Sequence, residues 1–125
     1  MLGTKHALAT IAVRNLKSAK KFYEGTLGLK LADTREEDPP VYQSGSSRVL
    51  VYESQYAGTN KASAATWDVG TDMEKVVEAL KAKGVAFEHY DLPGMTRKGD
   101  VHVTGPIKAA WFKDPDGNIL ALVGR

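Results

Sequence analysis

A strand–helix–strands order occurs twice along this chain with the same punctuation, and that repetition constrains the fold more than any single motif. In the first copy, residues 7–13 (ALATIAV) alternate as a half-buried strand does, with Ala9, Ile11 and Val13 on one face. Asn15 is placed to cap the following helix, because its side-chain oxygen accepts from an otherwise unpaired first-turn amide. Leu16, Ala19, Phe22, Tyr23 and Leu27 recur at helical spacing, and Gly28 supplies the left-handed residue that ends the helix. The charged segment 33–40 reads as an exposed loop, followed by strands at 41–43 and 48–53 around a Ser44-Gly45-Ser46-Ser47 turn.

The second copy opens with a strand at 64–69 and a capping box in which Thr71 and Glu74 satisfy amides at the helix start. Met73, Val76, Val77 and Leu80 form the buried stripe, and Gly84 ends the helix. Strands are expected at 86–90, 101–103, 109–112 and 119–123. The run Asp114-Pro115-Asp116-Gly117-Asn118 makes a hairpin turn, since proline presets the bend and glycine takes positive φ. Between residues 91 and 106, Pro93, Gly94, Gly99 and Gly105 suit a mobile flap. One half alone is too small to bury its own sheet, so the halves must pair. The expectation is an α+β fold in a single domain, 1–125, built from two tandem βαβββ modules at about 5–53 and about 64–125. Each sheet covers its helix with one face, and the curved mixed sheet surrounds a central cavity with the other.

Composition narrows the function classes. The chain has 125 residues, 42% apolar and 26% charged, which is enough for a core and typical of a soluble domain. No apolar stretch is long enough to span a membrane, and the first residues lack the pattern of a signal peptide. The absence of cysteine excludes disulfides, thiolate metal sites and thiol nucleophiles. A cytoplasmic protein is expected. Seventeen basic and 15 acidic side chains leave a net charge of +2, too little for a nucleic-acid-binding face. Lys17, Lys20 and Lys21 gather only as the solvated side of a helix does.

Three stretches resemble one known family. Val13-Arg14-Asn15-Leu16, Phe22-Tyr23-Glu24 and Leu27-Gly28-Leu29 look like the first-module signature of the vicinal-oxygen-chelate superfamily, which includes glyoxalases, bleomycin resistance proteins and extradiol dioxygenases. Trp67 to Val85 is similar to its second-module strand and helix, and Phe112 to Asn118 to its most recognisable turn. The resemblance implies a cavity for a small molecule and, in metal-using members, four side-chain ligands, two from each module. Carried onto this chain, those positions are Leu8, Val51, Ala64 (or Ala65) and Ala121, the second by aligning residues 48–51 on residues 118–121. All are hydrocarbon, with no lone pair to give a divalent ion, so neither metal nor other cofactor is expected.

Strand alternation then supplies a pocket list. Leu8, Thr10 and Ala12 face the cavity, as do Val49, Val51 and Glu53, then Ala64, Thr66 and Asp68. The last strands add Ala109, Trp111, Ile119, Ala121 and Val123, with Trp111 able to stack on a planar ligand while Trp67 fills space beneath the helix. Tyr56, Tyr90 and Met95 read as gate residues. The expected function is metal-independent binding or sequestration of a small molecule, such as an aromatic drug, by a homodimer without nucleic-acid or membrane partners. Two alternatives stay open. One is an enzyme of the glyoxalase or dioxygenase type with non-standard ligands drawn from Glu53, Asp68 and His102, and the other is metal-free acid–base catalysis by the two carboxylates.

Overall fold

The computed structural model of the chain describes residues 1–32 and 39–125, so most of the expected loop at 33–40 lies outside the described residues. Strand β1 (Ala9–Val13) leads into α1 (Leu16–Lys20) through Asn15, whose Oδ1 accepts the Ser18 amide at 3.0 Å as its residue type foretold. A single regular helix to Gly28 was the expectation. The chain instead widens into a π-helical turn over Lys21–Thr26, which Leu27 N–H closes on the Phe22 carbonyl at 2.9 Å. In that wide turn Phe22 and Tyr23, adjacent in sequence, pack edge to face at 5.2 Å. Gly28 then takes a φ of 74°.

Strands β2 (Lys30–Leu31), β3 (Val41–Ser44) and β4 (Ser47–Glu53) complete the first sheet in the order β1-β4-β3-β2, with β1 and β4 parallel. The second half repeats the plan. Strand β5 (Ser63–Gly70) precedes α2 (Met73–Ala82), followed by β6 (Phe87–Glu88), β7 (Thr96–Lys98), β8 (Val101–Thr104), β9 (Ile107–Lys113) and β10 (Ile119–Gly124). Its order is β5-β10-β9-β8-β7, with β5 and β10 parallel. The expected α+β architecture of two βαβββ modules is what the chain adopts.

Two local expectations are corrected. The capping box at Thr71–Glu74 does not form, for Asp72 occupies the cap without a side-chain hydrogen bond and Glu74 reaches out to Lys108 across the sheet. The stretch 91–106 is not only a flap, since it contains the β7–β8 hairpin. Strands β6 and β8 both pair with β9, β6 at Phe112 and Trp111 and β8 at residues 107–109. They therefore lie end to end along one edge of β9, where the first half, among the described residues, has β2.

A common core forms from the helix-bearing faces of both sheets. Ile11, Val13, Tyr42, Val49 and Val51 come from the first sheet, Ala65, Phe112, Leu120 and Leu122 from the second, and Met73, Val77 and Leu80 from α2. Trp67 Nε1–H crosses between the sheets to donate to Ser44 Oγ at 2.9 Å. The 114–118 turn fastens the join. Asn118 Nδ2–H donates to the Ala12 carbonyl at 2.7 Å, Arg14 N–H to Asp116 Oδ2 at 3.1 Å, and Gly58 N–H to Asn118 Oδ1 at 3.3 Å. Among the described residues no helix is long and apolar enough to cross a membrane.

Candidate functional site

Laterally paired residues of a sheet project to the same face, so the register sorts the expected pocket residues. In the first sheet Ala9 pairs with Val49, Ile11 with Val51 and Val13 with Glu53. Ile11 and Val13 are core residues, and Val49 and Val51 accompany them at 3% and 0% exposure. Val49, Val51 and Glu53 therefore do not share the open face with Thr10, which corrects the expectation. Glu53 sits at the strand's end, its Oε1 3.5 Å from the Leu16 amide at the start of α1. The cause is the turn before β4. It holds only Gly45 and Ser46, against the five residues from Asp114 to Asn118, so aligning the two hairpins by sequence slips β4 by one residue. Such a slip reverses every side chain. The open face of the first sheet carries Thr10, Ala12, Leu50 and Tyr52, with Leu8 just before β1.

In the second sheet Ala65, Leu120 and Phe112 align on the helix side, as do Trp67, Leu122 and Ala110. Thr66, Ala121 and Trp111 line up on the opposite face, followed by Asp68, Val123 and Ala109. Ala65 is a core residue, whereas Ala64 falls where the β5–β10 register jumps from Ser63 to Ala65. Both open faces meet solvent: Leu8 is 39% and Tyr52 40% exposed, and Thr10, Thr66 and Asp68 are exposed as well. Tyr56, at 70% exposure, stands on the turn after β4, its amide held by Ser54 Oγ.

A cavity of about 300 Å³ opens beside Trp111, lined also by Lys61, Ala62, Ser63, Tyr90, Leu92 and Ile119. Its walls come from the connection leading into β5 and from the second half of the chain. Trp111 meets Tyr90 edge to face at 5.4 Å and His102 at 4.9 Å. His102, 1% exposed, flanks Trp111 on the same face: its Nε2 accepts the Tyr90 amide at 2.9 Å, and its Nδ1 has no partner among the described residues. Met95 borders an adjoining hollow, which shares Tyr90 with the first and is lined also by His89, Asp91 and Arg97. Leu50, Tyr52, Lys61 and Leu92 were not foreseen. The length of the β3–β4 turn pointed to the first two, while Lys61 and Leu92 lie on connections whose path no periodicity encodes.

The metal question can be put to these positions directly. Leu50 pairs with Thr10 as Ala121 pairs with Thr66, so Leu50, not Val51, is the counterpart of Ala121. The four positions become Leu8, Leu50, Ala64 and Ala121, all still hydrocarbon, and they do not fit a divalent ion. Nor are the alternative ligands gathered, since Glu53 lies by α1, Asp68 Oδ1 accepts the Gly70 amide at 2.9 Å and His102 is buried against Trp111. Among the described residues no three histidine or carboxylate side chains stand together to hold an ion.

The sequence model of the Glyoxalase/Bleomycin resistance protein/Dioxygenase superfamily matches residues 4–122. Solved structures give the same fold. A glyoxalase/bleomycin resistance protein/dioxygenase from Alicyclobacillus acidocaldarius superposes with a TM-score of 0.71 at 18% identity, covering 97% of this chain and 91% of that one. The genomically encoded fosfomycin resistance protein FosX from Listeria monocytogenes gives 0.71 at 14% identity, covering 100% and 94%. An integron cassette protein from the mobile metagenome of Halifax Harbour sewage outfall gives 0.69 at 18% identity, covering 98% and 99%.

Proposed function

Because this chain belongs to the Glyoxalase/Bleomycin resistance protein/Dioxygenase superfamily, we propose that it is a cytoplasmic, single-domain protein that binds a small planar molecule without a metal ion. The observation that carries this reading is Trp111, whose half-buried ring forms one wall of a cavity of about 300 Å³ on the open face of the second sheet. Sites for small molecules are mostly apolar hollows with a few placed polar groups, and this one has that make-up. The hydrocarbon at Leu8, Leu50, Ala64 and Ala121 supports a binding role over the metal chemistry of enzymatic relatives. Glu53 Oε1 accepts the Leu16 amide and Asp68 Oδ1 the Gly70 amide, each on its own sheet, which favours binding over acid–base catalysis by the two as a pair.

The working form is a homodimer. A second copy lays the open face of its first sheet, with Leu8, Thr10, Leu50 and Tyr52, over the Trp111 cavity, and the two-fold arrangement covers both sites at once. That step buries the exposed Leu8 and Tyr52.

The test has two parts. Elemental analysis of protein purified without a histidine tag is expected to find no stoichiometric divalent metal. A thermal-shift screen of polycyclic and quinone-like compounds is expected to yield ligands that Trp111→Ala binds about 10-fold more weakly or worse, the loss expected for one buried aromatic contact. One equivalent of metal, or a folded Trp111→Ala that binds as tightly as the parent, overturns the reading.

A further inference from the structure

The polar groups around the Trp111 cavity are of one kind. Lys61, Ser63, Tyr90 and Trp111 all belong to its lining, and the side chain of each carries a donor. Among the described residues none of these side-chain groups is engaged by an ion pair. Among the described residues no carboxylate lines the cavity. Glu88, which pairs laterally with Trp111, is held by Lys113 at 3.2 Å, and Asp91 lines the adjoining hollow on the far side of Tyr90. Burial, and secondarily the Glu88 charge, push the Tyr90 hydroxyl above its ordinary range, so it remains a protonated donor at neutral pH.

Donors that lack partners in the protein look for acceptors in a ligand, and a cationic end favours a negative one. We propose that the ligand class of this cavity is a planar aromatic anion, its ring against Trp111 and Tyr90 and its negative group at the Lys61 end. A volume of about 300 Å³ stands at the lower end of small-molecule sites and has room for one bicyclic ring system. The proposal rests on the aromatic-binding reading above and adds the sign of the ligand's charge.

Calorimetric titration of the full chain with 2-naphthoate and its neutral isostere 2-naphthamide tests it. The carboxylate is expected to bind about two- to fivefold more tightly than the amide at low salt, the scale of a partly solvated ion pair, with the margin shrinking as salt is added. Lys61→Gln should erase the margin and Lys61→Arg should keep it. Lys61 is exposed, so neither change threatens the fold. Equal affinities, or a margin unchanged in Lys61→Gln, overturn the anionic class while leaving aromatic binding standing. If the Trp111 site binds neither compound nor any planar aromatic in the screen, the aromatic reading itself falls and takes this proposal with it.

Discussion

The phenolic hydroxyl of Tyr23 donates to Asp114 Oδ2 at 2.8 Å, joining the wide helical turn of the first half to the hairpin turn of the second. Asp114 is itself 4% exposed and fully occupied. Its Oδ1 accepts the Asp116 and Asn118 amides at 2.9 and 2.8 Å, and Oδ2 also accepts from Asn118 Nδ2 at 2.8 Å. One carboxylate therefore shapes the turn and anchors the other half of the chain.

Tyr23→Phe is expected to cost about 1.5–3 kcal/mol in urea denaturation, the range for a hydrogen bond to a charged group. Burial, and then the neighbouring Asp114 charge, push the Tyr23 hydroxyl well above its ordinary value of 10.0. A group raised in the folded state contributes stability that is complete below its unfolded pKa. That contribution drains away as pH rises beyond it, because the unfolded chain ionises first. The gap between wild type and Tyr23→Phe should accordingly narrow above about pH 10. A gap that widens there would contradict the assignment.

Gly58→Ala should be far more damaging than Gly84→Ala. A Cβ at Gly58 would stand 1.9 Å from the Asp116 carbonyl oxygen, on a backbone with φ of +71°. At Gly84, φ is +91° but nothing lies within 4 Å of the added carbon. The expected costs are about 1 kcal/mol at Gly84, from the left-handed backbone alone, and about 3 kcal/mol or more at Gly58, where overpacking adds to it. Urea midpoints of the two variants decide this.

Trp67→Phe separates the helix side from the cavity side. It removes the hydrogen bond to Ser44, 2.9 Å long in the wild type, and is expected to lower stability by about 1 kcal/mol. Affinity for a planar ligand should not change, because Trp67 shares the helix-bearing face with Leu122 while Trp111 stands on the other. A Trp67→Phe protein that loses affinity as Trp111→Ala does would overturn the division of faces.

Thr10→Arg tests the assembly. Thr10 is exposed and central on the open face of the first sheet, so a long charged side chain there leaves the fold of one chain intact. Sedimentation equilibrium should give about twice the chain mass for wild type, as closed two-fold pairing requires, and a value shifted toward one for the variant. A wild-type monomer at micromolar concentration would end the dimer reading.

Asp100 sets an acid limit of its own. Lys81 at 2.8 Å, and after it His89 at 2.7 Å, hold its carboxyl below the ordinary carboxylate value of 3.8. Stability from a depressed acid is present above its unfolded pKa and lost as pH falls through the folded one. Asp100→Asn should thus be less stable than wild type at pH 7, with the two converging below about pH 3. Parallel denaturation profiles across that interval would show that the cluster does not contribute.

The parts of the fold legible in the sequence are those whose signals are local. Asn15, Gly28, Gly84 and the 114–118 turn each satisfy nearby backbone, and each sits where its chemistry asks. Long-range choices were not. Of the positions carried over from the resemblance, Val51 gave way to Leu50, because register is set by the turn and not by residue type. Glu74 had a local partner in the cap and took Lys108 from β9 instead, and β4 turned over because a two-residue turn replaced a longer one. Lys61 and His102 acquire their roles only when β9 brings Trp111 between their segments.

The break between β6 and β8 sets the two halves apart. In the first half, among the described residues, the corresponding edge belongs to β2. In the second, the chain leaves the ladder after Glu88, carries Tyr90 and Leu92 to the cavity, and rejoins the edge at Val101. An uninterrupted strand would have locked Tyr90 into backbone pairing and left Trp111 with a bare surface. The asymmetry between the two halves, at a single interrupted strand, is thus what opens the hollow beside Trp111.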